Sequence, residues 1–350
     1  MKSVILNETP RRTSKSFGIN NIEIKDFEIP EIKEFTNIKV KSSIKIENKN
    51  VYFDPKFSIG TTLINELNNA NQNLYINIEK EIKEPIIIEF NLDETQNILV
   101  DSIFINAKEN SKANIIIKYK TASDEVQAYH NGVCQVSAEN GSDVTVTILN
   151  LLNSNSQNFY SMNNKIGEYA NLKYIIADFG GNKTVSNYYS KLEGERANNE
   201  LNTMYLGTKE QLLDLNYISE VYGKKGKIDI EVYGALKDNS HKNFKGTIDF
   251  KKGCKKARGN ENEYCMLLSK TAKSKALPML LCSEEDVQGN HSNSAGKIDE
   301  EKLYYIMTRG ISKSQAQKLL VKAKFNSVLE KIEDEEIRQE LIKEIDRRLV

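Results

Sequence analysis

Three histidines and four cysteines in 350 residues leave little from which to assemble conventional catalytic or metal chemistry. Cys134, Cys254, Cys265 and Cys282 are sparse and unevenly spaced, unlike the framework of a small disulfide-stapled secreted domain, and are expected to be reduced thiols. No CxxC, HExxH or GxSxG occurs, so closed zinc sites, zincin chemistry and a nucleophile elbow lack support. GGNKT at Gly180 to Thr184 lacks the spacing of a phosphate-cradling GxxxxGK[ST] loop, and the chain is not expected to bind or hydrolyse nucleotide itself. Charge of one sign is also missing: 49 Lys plus Arg balance 49 Asp plus Glu, which removes any broad attraction to nucleic acid or an anionic membrane surface. The opening MKSVILNETPRRTSKS has too short an apolar run for a secretory segment, and no later run approaches a membrane span, so the sequence reads as cytoplasmic.

What is present is alternation. From about residue 44 to 281, short runs such as SIKIEN, LYINIEK, PIIIEFN, ILVDSIFINA, ANIIIKYK, DVTVTIL, LKYIIADF and IDIEVYGAL show period-two patterning bounded by Asn, Gly, Asp and Ser, the mark of strands that bury one face. Several units are alike: pairs of apolar residues six positions apart recur at Ala107 and Ala113, Ala138 and Val144, and Ile166 and Leu172, with a fainter copy near Leu192. A recurrence of roughly 26 to 31 residues predicts stacked β coils, each burying its apolar face only against its neighbours. A two-layer sandwich with coincidental spacing is the competing architecture. The turns ENSKA, ENGSD and GEYAN supply Asn and Gly where φ must be positive.

After Gly296 the pattern becomes helical. Asp299 is placed to cap a helix through Leu303, Ile306 and Met307, which Gly310 would end. Ser312 and Gln315 fit a capping box ahead of Ala316, Leu319, Leu320 and Ala323, and Asp334 begins a third helix with Ile337, Leu341, Ile345 and Leu349 in one stripe. The predicted organisation is an N-terminal segment over 1–43, a β core over 44–297 and a helical module over 298–350.

Around Cys254 crowd Lys251, Lys252, Lys255, Lys256 and Arg258. A solvated sheet edge protected by charge is one reading and a binding patch the other; in either, neighbouring cations would favour the Cys254 thiolate. Cys134 and Cys282 lie in strand patterns and are expected in the core.

The stretch from Pro278 to Phe325, PMLLCSEEDVQGNHSNSAGKIDEEKLYYIMTRGISKSQAQKLLVKAKF, resembles the SufB/SufD family of iron-sulfur cluster assembly scaffolds, on the SufD-like side. The residues that carry the resemblance are Glu285, Asp286, Val287, His291, Gly296, Asp299, Glu300, Leu303, Tyr304, Tyr305, Arg309, Gly310 and Ile311, in order and spacing. It weakens backwards to about Asp124, with a further echo in LNETPRRTSKSFGIN. The resemblance implies a mainly β fold, a right-handed parallel β-helix with a short N-terminal segment and a C-terminal helical module.

It also implies a non-enzymatic scaffold that pairs with a SufB-like subunit or with itself through β-helix edges and docks a SufC-like ATPase through Tyr304, Tyr305, Arg309, Gly310 and Lys318, with a transient iron-sulfur cluster at the subunit interface. His291 matches the family's conserved histidine, although Gly289 and Asn290 replace the preceding Cys-Ser, so no soft thiolate stands there. A cysteine of SufB-type members aligns with Glu263, and Cys265 lies two residues on, on the same face of the strand. His291, Cys265 and Cys254 are thus the candidate ligands, against the alternatives of a hydrogen-bonded turn histidine and buried apolar thiols. The rival functional classes are a β-helix enzyme acting on polysaccharide or acyl groups, which would need clustered carboxylates or a hexapeptide repeat, and a purely structural partner with no metal contact.

Overall fold

The computed structural model describes residues 3–51 and 57–349. Among them, strands alternate between two sheets as the chain advances, one of eight strands and one of nine. From Gln72–Ile78 onward every neighbour within a sheet is parallel, so the chain winds as a solenoid of about eight coils with one strand in each sheet per coil. The predicted repeat is the register of this stack. Ala107 pairs with Ala138, Ala138 with Ile166, Ile166 with Leu192, Leu192 with Val221, Val221 with Phe250 and Phe250 with Cys282. Parallel pairing of strands separated by a whole coil excludes the sandwich.

The run SIKIEN is the exception to the strand predictions. It contributes a single antiparallel bridge, Glu47 to Tyr75, while Ile44 and Ile46 lay their side chains over the first coil. With Ile38–Lys41, which pairs antiparallel to Ile86–Leu92, this segment closes the N-terminal end of the solenoid. At the other end Lys273–Cys282 and Val287–Lys297 are the last strands of their sheets, with no coil above them.

The corners stack through backbone. Asn110, Gly141, Tyr169, Arg196, Lys225 and Lys256 all have φ between 55° and 69°, and each amide donates to a carbonyl of the next coil, as from Tyr169 to Glu195 at 2.9 Å and from Lys225 to Lys255 at 2.9 Å. A satisfied amide in every corner offsets the left-handed conformation even where the side chain is Tyr, Arg or Lys. Gly223 has a different reason to be glycine: a Cβ there would lie 1.7 Å from the Gly194 carbonyl oxygen of the preceding corner.

Both outer faces are covered. Val4–Leu6 and Ile22–Ile24 form a hairpin that packs on the eight-stranded sheet against Val100, Val133, Phe159 and Val185. Asn7 anchors it, donating to Asp214 Oδ1 at 2.8 Å, and Asp214 in turn pairs with the fully buried Lys245 at 2.5 Å. The short helix α1 (Thr61–Glu66) lies beside the hairpin, its Glu66 carboxylate accepting from Tyr129 at 2.6 Å and Asn131 at 2.8 Å.

On the nine-stranded sheet sits the C-terminal module: α2 (Glu300–Thr308), α3 (Lys313–Leu329) and α4 (Glu335–Arg348). Its caps follow the sequence. Asp299 and Asp334 accept from the third amide of their helices, Ser312 and Gln315 form the capping box, and Gly310 turns at φ 85°. Ile337, Leu341, Ile345 and Leu349 form a buried stripe that, with Val321 and Phe325, covers Leu149, Ile175, Phe179 and Met204 of the sheet.

The apolar stripes of α2 and α3 are only partly buried. Leu303 is buried, but Met307 and Leu319 are exposed and Lys318 is half-buried. The reason is that α3 turns Val321, Phe325 and Val328 to the sheet rather than toward α2. No helix among the described residues is long and apolar enough to cross a membrane.

Candidate functional site

The uncapped end gathers most of the chemically useful side chains. Along Ala257–Leu267 the inward positions are Gly259, Glu261, Glu263 and Cys265; their partners on the last strand are Gly289, His291, Asn293 and Ala295. Opposite them, from His241–Phe250 in the other sheet, come Lys242, Phe244 and Gly246. Glu261 and Glu263 are 0 % and 3 % exposed, so two carboxylates lie inside the solenoid at this end.

Each carboxylate is half satisfied. Glu263 Oε1 accepts from Lys242 Nζ and from the Tyr205 hydroxyl, both at 2.7 Å. Glu261 Oε1 accepts from Asn293 Nδ2 at 3.1 Å, and the carboxyl rests over Gly246, where a Cβ would come within 2.3 Å of its Cδ. Glu261 Oε2, Glu263 Oε2 and Asn293 Oδ1 are buried without a protein partner. Unpaired buried acceptors are costly, and these three lie together at the open end.

Burial, aided by the neighbouring Glu263 carboxylate, pushes the Glu261 carboxyl up from 4.5 to about 7. The folded protein therefore holds a proton that the unfolded chain releases near pH 4.5, and stability falls as pH rises from there through about 7. Glu261→Gln is expected to flatten this decline, read as the urea midpoint against pH; an unchanged slope would remove Glu261 as its source.

His291 and Cys265 are brought to this end together. His291 is exposed on the last strand, paired in register with Glu261; Cys265 is buried on the same inward face as Glu263, as the strand spacing predicts, and burial raises its thiol pKa. Cys254 does not join them. It is buried in a corner, and burial with the Glu284 carboxylate pushes its thiol up to about 11, opposite to the depression expected from the lysine cluster. The lysines point outward: Lys252, Lys255 and Lys256 are exposed, and Lys251 pairs with Asp249 at 2.6 Å and Glu220 at 2.9 Å. Cys134 is core as expected, whereas Cys282 is exposed, because its inward register position beyond Phe250 has no coil above it.

A second surface lies beside this end. Tyr304 and Tyr305 are 70 % and 60 % exposed on α2, and the Arg309 guanidinium lies over the Tyr305 ring while donating to its hydroxyl at 2.7 Å. A groove of about 370 Å³ runs between α2, α3 and the strand ends, lined by Leu268, Ile298, Leu303, Tyr304, Met307 and Gln317. Glu261, Glu263 and Lys242 escaped the sequence reading. The available signal was NENEYC, which sets both acids and Cys265 on one face at spacing two.

Residues 90–324 match the family described as SUF system FeS cluster assembly, SufBD core domain. The chain belongs to this family. SufBD relatives include the iron-sulfur cluster assembly protein SufD of Bacillus subtilis, 24% identical over 83% of this chain and 66% of its own length. A SufBD family protein of Pyrococcus horikoshii is 24% identical over 74% of this chain and 58% of its length, and SufD of Escherichia coli is 25% identical over 49% and 40%. The chain thus spans less than two thirds of the length of these SufBD relatives. Among the described residues no three of His, Cys, Asp and Glu converge to hold a metal ion.

Proposed function

We propose that this chain is a non-enzymatic SufD-like scaffold in iron-sulfur cluster assembly. Its open end meets a second solenoid, SufB-like or another copy, and the face around α2 docks a SufC-like ATPase. The observation that carries the reading is the uncapped last coil, where two exposed edge strands frame buried carboxylates with unpaired oxygens. An exposed edge is a template for a further strand, and the unpaired acceptors are satisfied when a partner brings donors or when an iron-sulfur cluster, the cargo, is held between the two. From this chain His291 and Glu261 would face that cargo, with the remaining donors supplied across the interface. Tyr304, Tyr305, Arg309 and the turn at Gly310 present the aromatic and cationic anchors suited to a protein interface.

Anaerobic reconstitution with a SufB-like subunit, a SufC-like ATPase, iron and sulfide tests this. His291→Ala is expected to leave folding and ATPase binding intact and to lower cluster yield. Tyr304→Ala with Tyr305→Ala is expected to lose the ATPase in a pull-down while pairing at the open end persists. Full cluster yield from a protein lacking both the His291 and Glu261 side chains would leave the chain as a structural partner without metal contact.

A further inference from the structure

The interior of the solenoid changes character along its axis. In the first coils Ile76, Ile88, Ile103 and Ile115 share it with the rings of Phe35 and Phe90. From there an aromatic column continues along the axis. Tyr119 stacks on Phe90 with ring centroids 5.1 Å apart and meets Tyr160 at 5.5 Å. Further on, Tyr174 meets Tyr188 at 5.2 Å, Tyr188 meets Tyr217 at 6.1 Å and Tyr217 meets Phe244 at 5.7 Å. Cys134 lies between the two runs, its sulfur 3.7 Å from the Tyr174 hydroxyl. Near the open end the Lys242 ammonium lies over both Phe244 and Tyr205, at 5.7 and 5.6 Å from the ring centroids.

Packing does not account for the hydroxyls. Phenylalanine would fill the same volume, whereas each buried phenol must find a partner or leave a polar group stranded. Here the partners are built in. Tyr174 donates to Asn164 at 2.9 Å and Tyr188 to Asn199 at 3.1 Å, while Tyr217 accepts from Thr203 at 3.4 Å.

Tyr119 is different, because its partner is a base. Its hydroxyl donates to Asp101 Oδ2 at 3.0 Å, and Asp101 Oδ1 lies 2.7 Å from His130 Nε2. Both are fully buried. Gly132 makes room for the pair, since a Cβ there would lie within 2.7 Å of both. Beyond Tyr119 the column continues only as Phe90 and Phe35, rings too hard to oxidise to hold a positive hole. Tyr205, at the opposite end, also donates to a carboxylate, that of Glu263.

We infer that this column conducts oxidising equivalents from the open end to Tyr119. A one-electron oxidant at the open end removes an electron from the nearest tyrosine, and neighbouring rings refill the vacancy in turn. At Tyr119 the O–H bond breaks. The electron leaves along the column to the oxidant, which is reduced by one electron. The proton crosses the existing hydrogen bond to Asp101, leaving a neutral tyrosyl radical beside a protonated carboxyl and His130. A one-electron reductant reverses the step, with the proton returning to the phenolate oxygen. Such a path would draw damaging oxidation away from the thiols at the open end.

The test uses the full chain alone and does not depend on the scaffold reading. Cys282 is the one exposed cysteine, so a ruthenium polypyridyl photo-oxidant can be attached there and fired by flash and quencher. Electron paramagnetic resonance and the tyrosyl optical band should then show a neutral tyrosyl radical that forms more slowly in heavy water. Tyr119→Phe should abolish it, as should Tyr188→Phe combined with Tyr217→Phe. These changes keep the rings and the packing, and an unchanged unfolding midpoint verifies the fold. Absence of a radical in the unmutated chain, or an undiminished radical in either variant, overturns the inference; a rate unaffected by heavy water overturns Asp101 as the proton acceptor.

Discussion

Replacing Lys242 by Met is expected to destabilise the protein by about 3–5 kcal/mol, because it strands the Glu263 carboxylate inside the solenoid. Lys242 and Glu263 have side chains 0 % and 1 % exposed, and the 2.7 Å contact between them is the cation's only carboxylate partner among the described residues. Without the ammonium, Glu263 Oε1 keeps the Tyr205 hydroxyl and Oε2 still has nothing. The pair is not thereby shown to be stabilising in itself. Removing both charges, as Lys242→Met with Glu263→Leu, is expected to restore most of the loss, since apolar replacement of a buried pair is commonly neutral or better. Urea midpoints of the two single variants and the double variant decide the matter. A double variant as weak as Lys242→Met would mean that the loss comes from packing around Phe244 and Tyr205 and not from the stranded charge.

Phe325→Ala is the second large effect, at about 3–5 kcal/mol. Phe325 is 1 % exposed, stacks on Phe179 of the nine-stranded sheet at 6.1 Å and sits among Leu149, Ile175 and Val321. The cavity should loosen α3 and α4 from the sheet before the coils unwind, so hydrogen exchange is expected to rise in both helices while the strands from Lys112–Thr121 to Lys227–Leu236 stay protected. Uniform loss of protection would instead mean that module and solenoid unfold as one unit. The same packing bears on truncation. A chain ending at Lys297 would bare the apolar outer face of the sheet, so point changes at Tyr304 and Tyr305 are the cleaner probe of ATPase docking.

The parts of this fold that sequence reveals are those set by neighbours in the chain. Helix caps at Asp299, Ser312 and Asp334 and the stop at Gly310 depend on side chains one to three residues from the backbone they satisfy. The coil repeat is visible at Ala107, Ala138 and Ile166 because inward apolar residues fall at matching positions. What stays hidden depends on coils stacked some thirty residues away. In GEYAN the residue with positive φ is Tyr169, neither the Gly nor the Asn, because its amide is held by Glu195 of the next coil. Glu261, Glu263 and Lys242 occupy core positions while looking, by type, like surface residues, and only the register shows that they meet. The reverse holds for the lysines around Cys254: adjacency in sequence suggested an activated thiol, but the side chains point away and the sulfur points in.

The antiparallel strand Ile38–Lys41 has a consequence for assembly. Stacked parallel coils are a template for indefinite growth, since each rung offers the next an identical ladder of amides and carbonyls. Here one terminus reverses direction and is roofed by Ile44 and Ile46, so a newcomer meets no matching ladder there. The opposite terminus keeps the parallel ladder open in both sheets. If pairing uses that end, joining consumes it in both molecules, and end-to-end association would stop at two without threading into filaments.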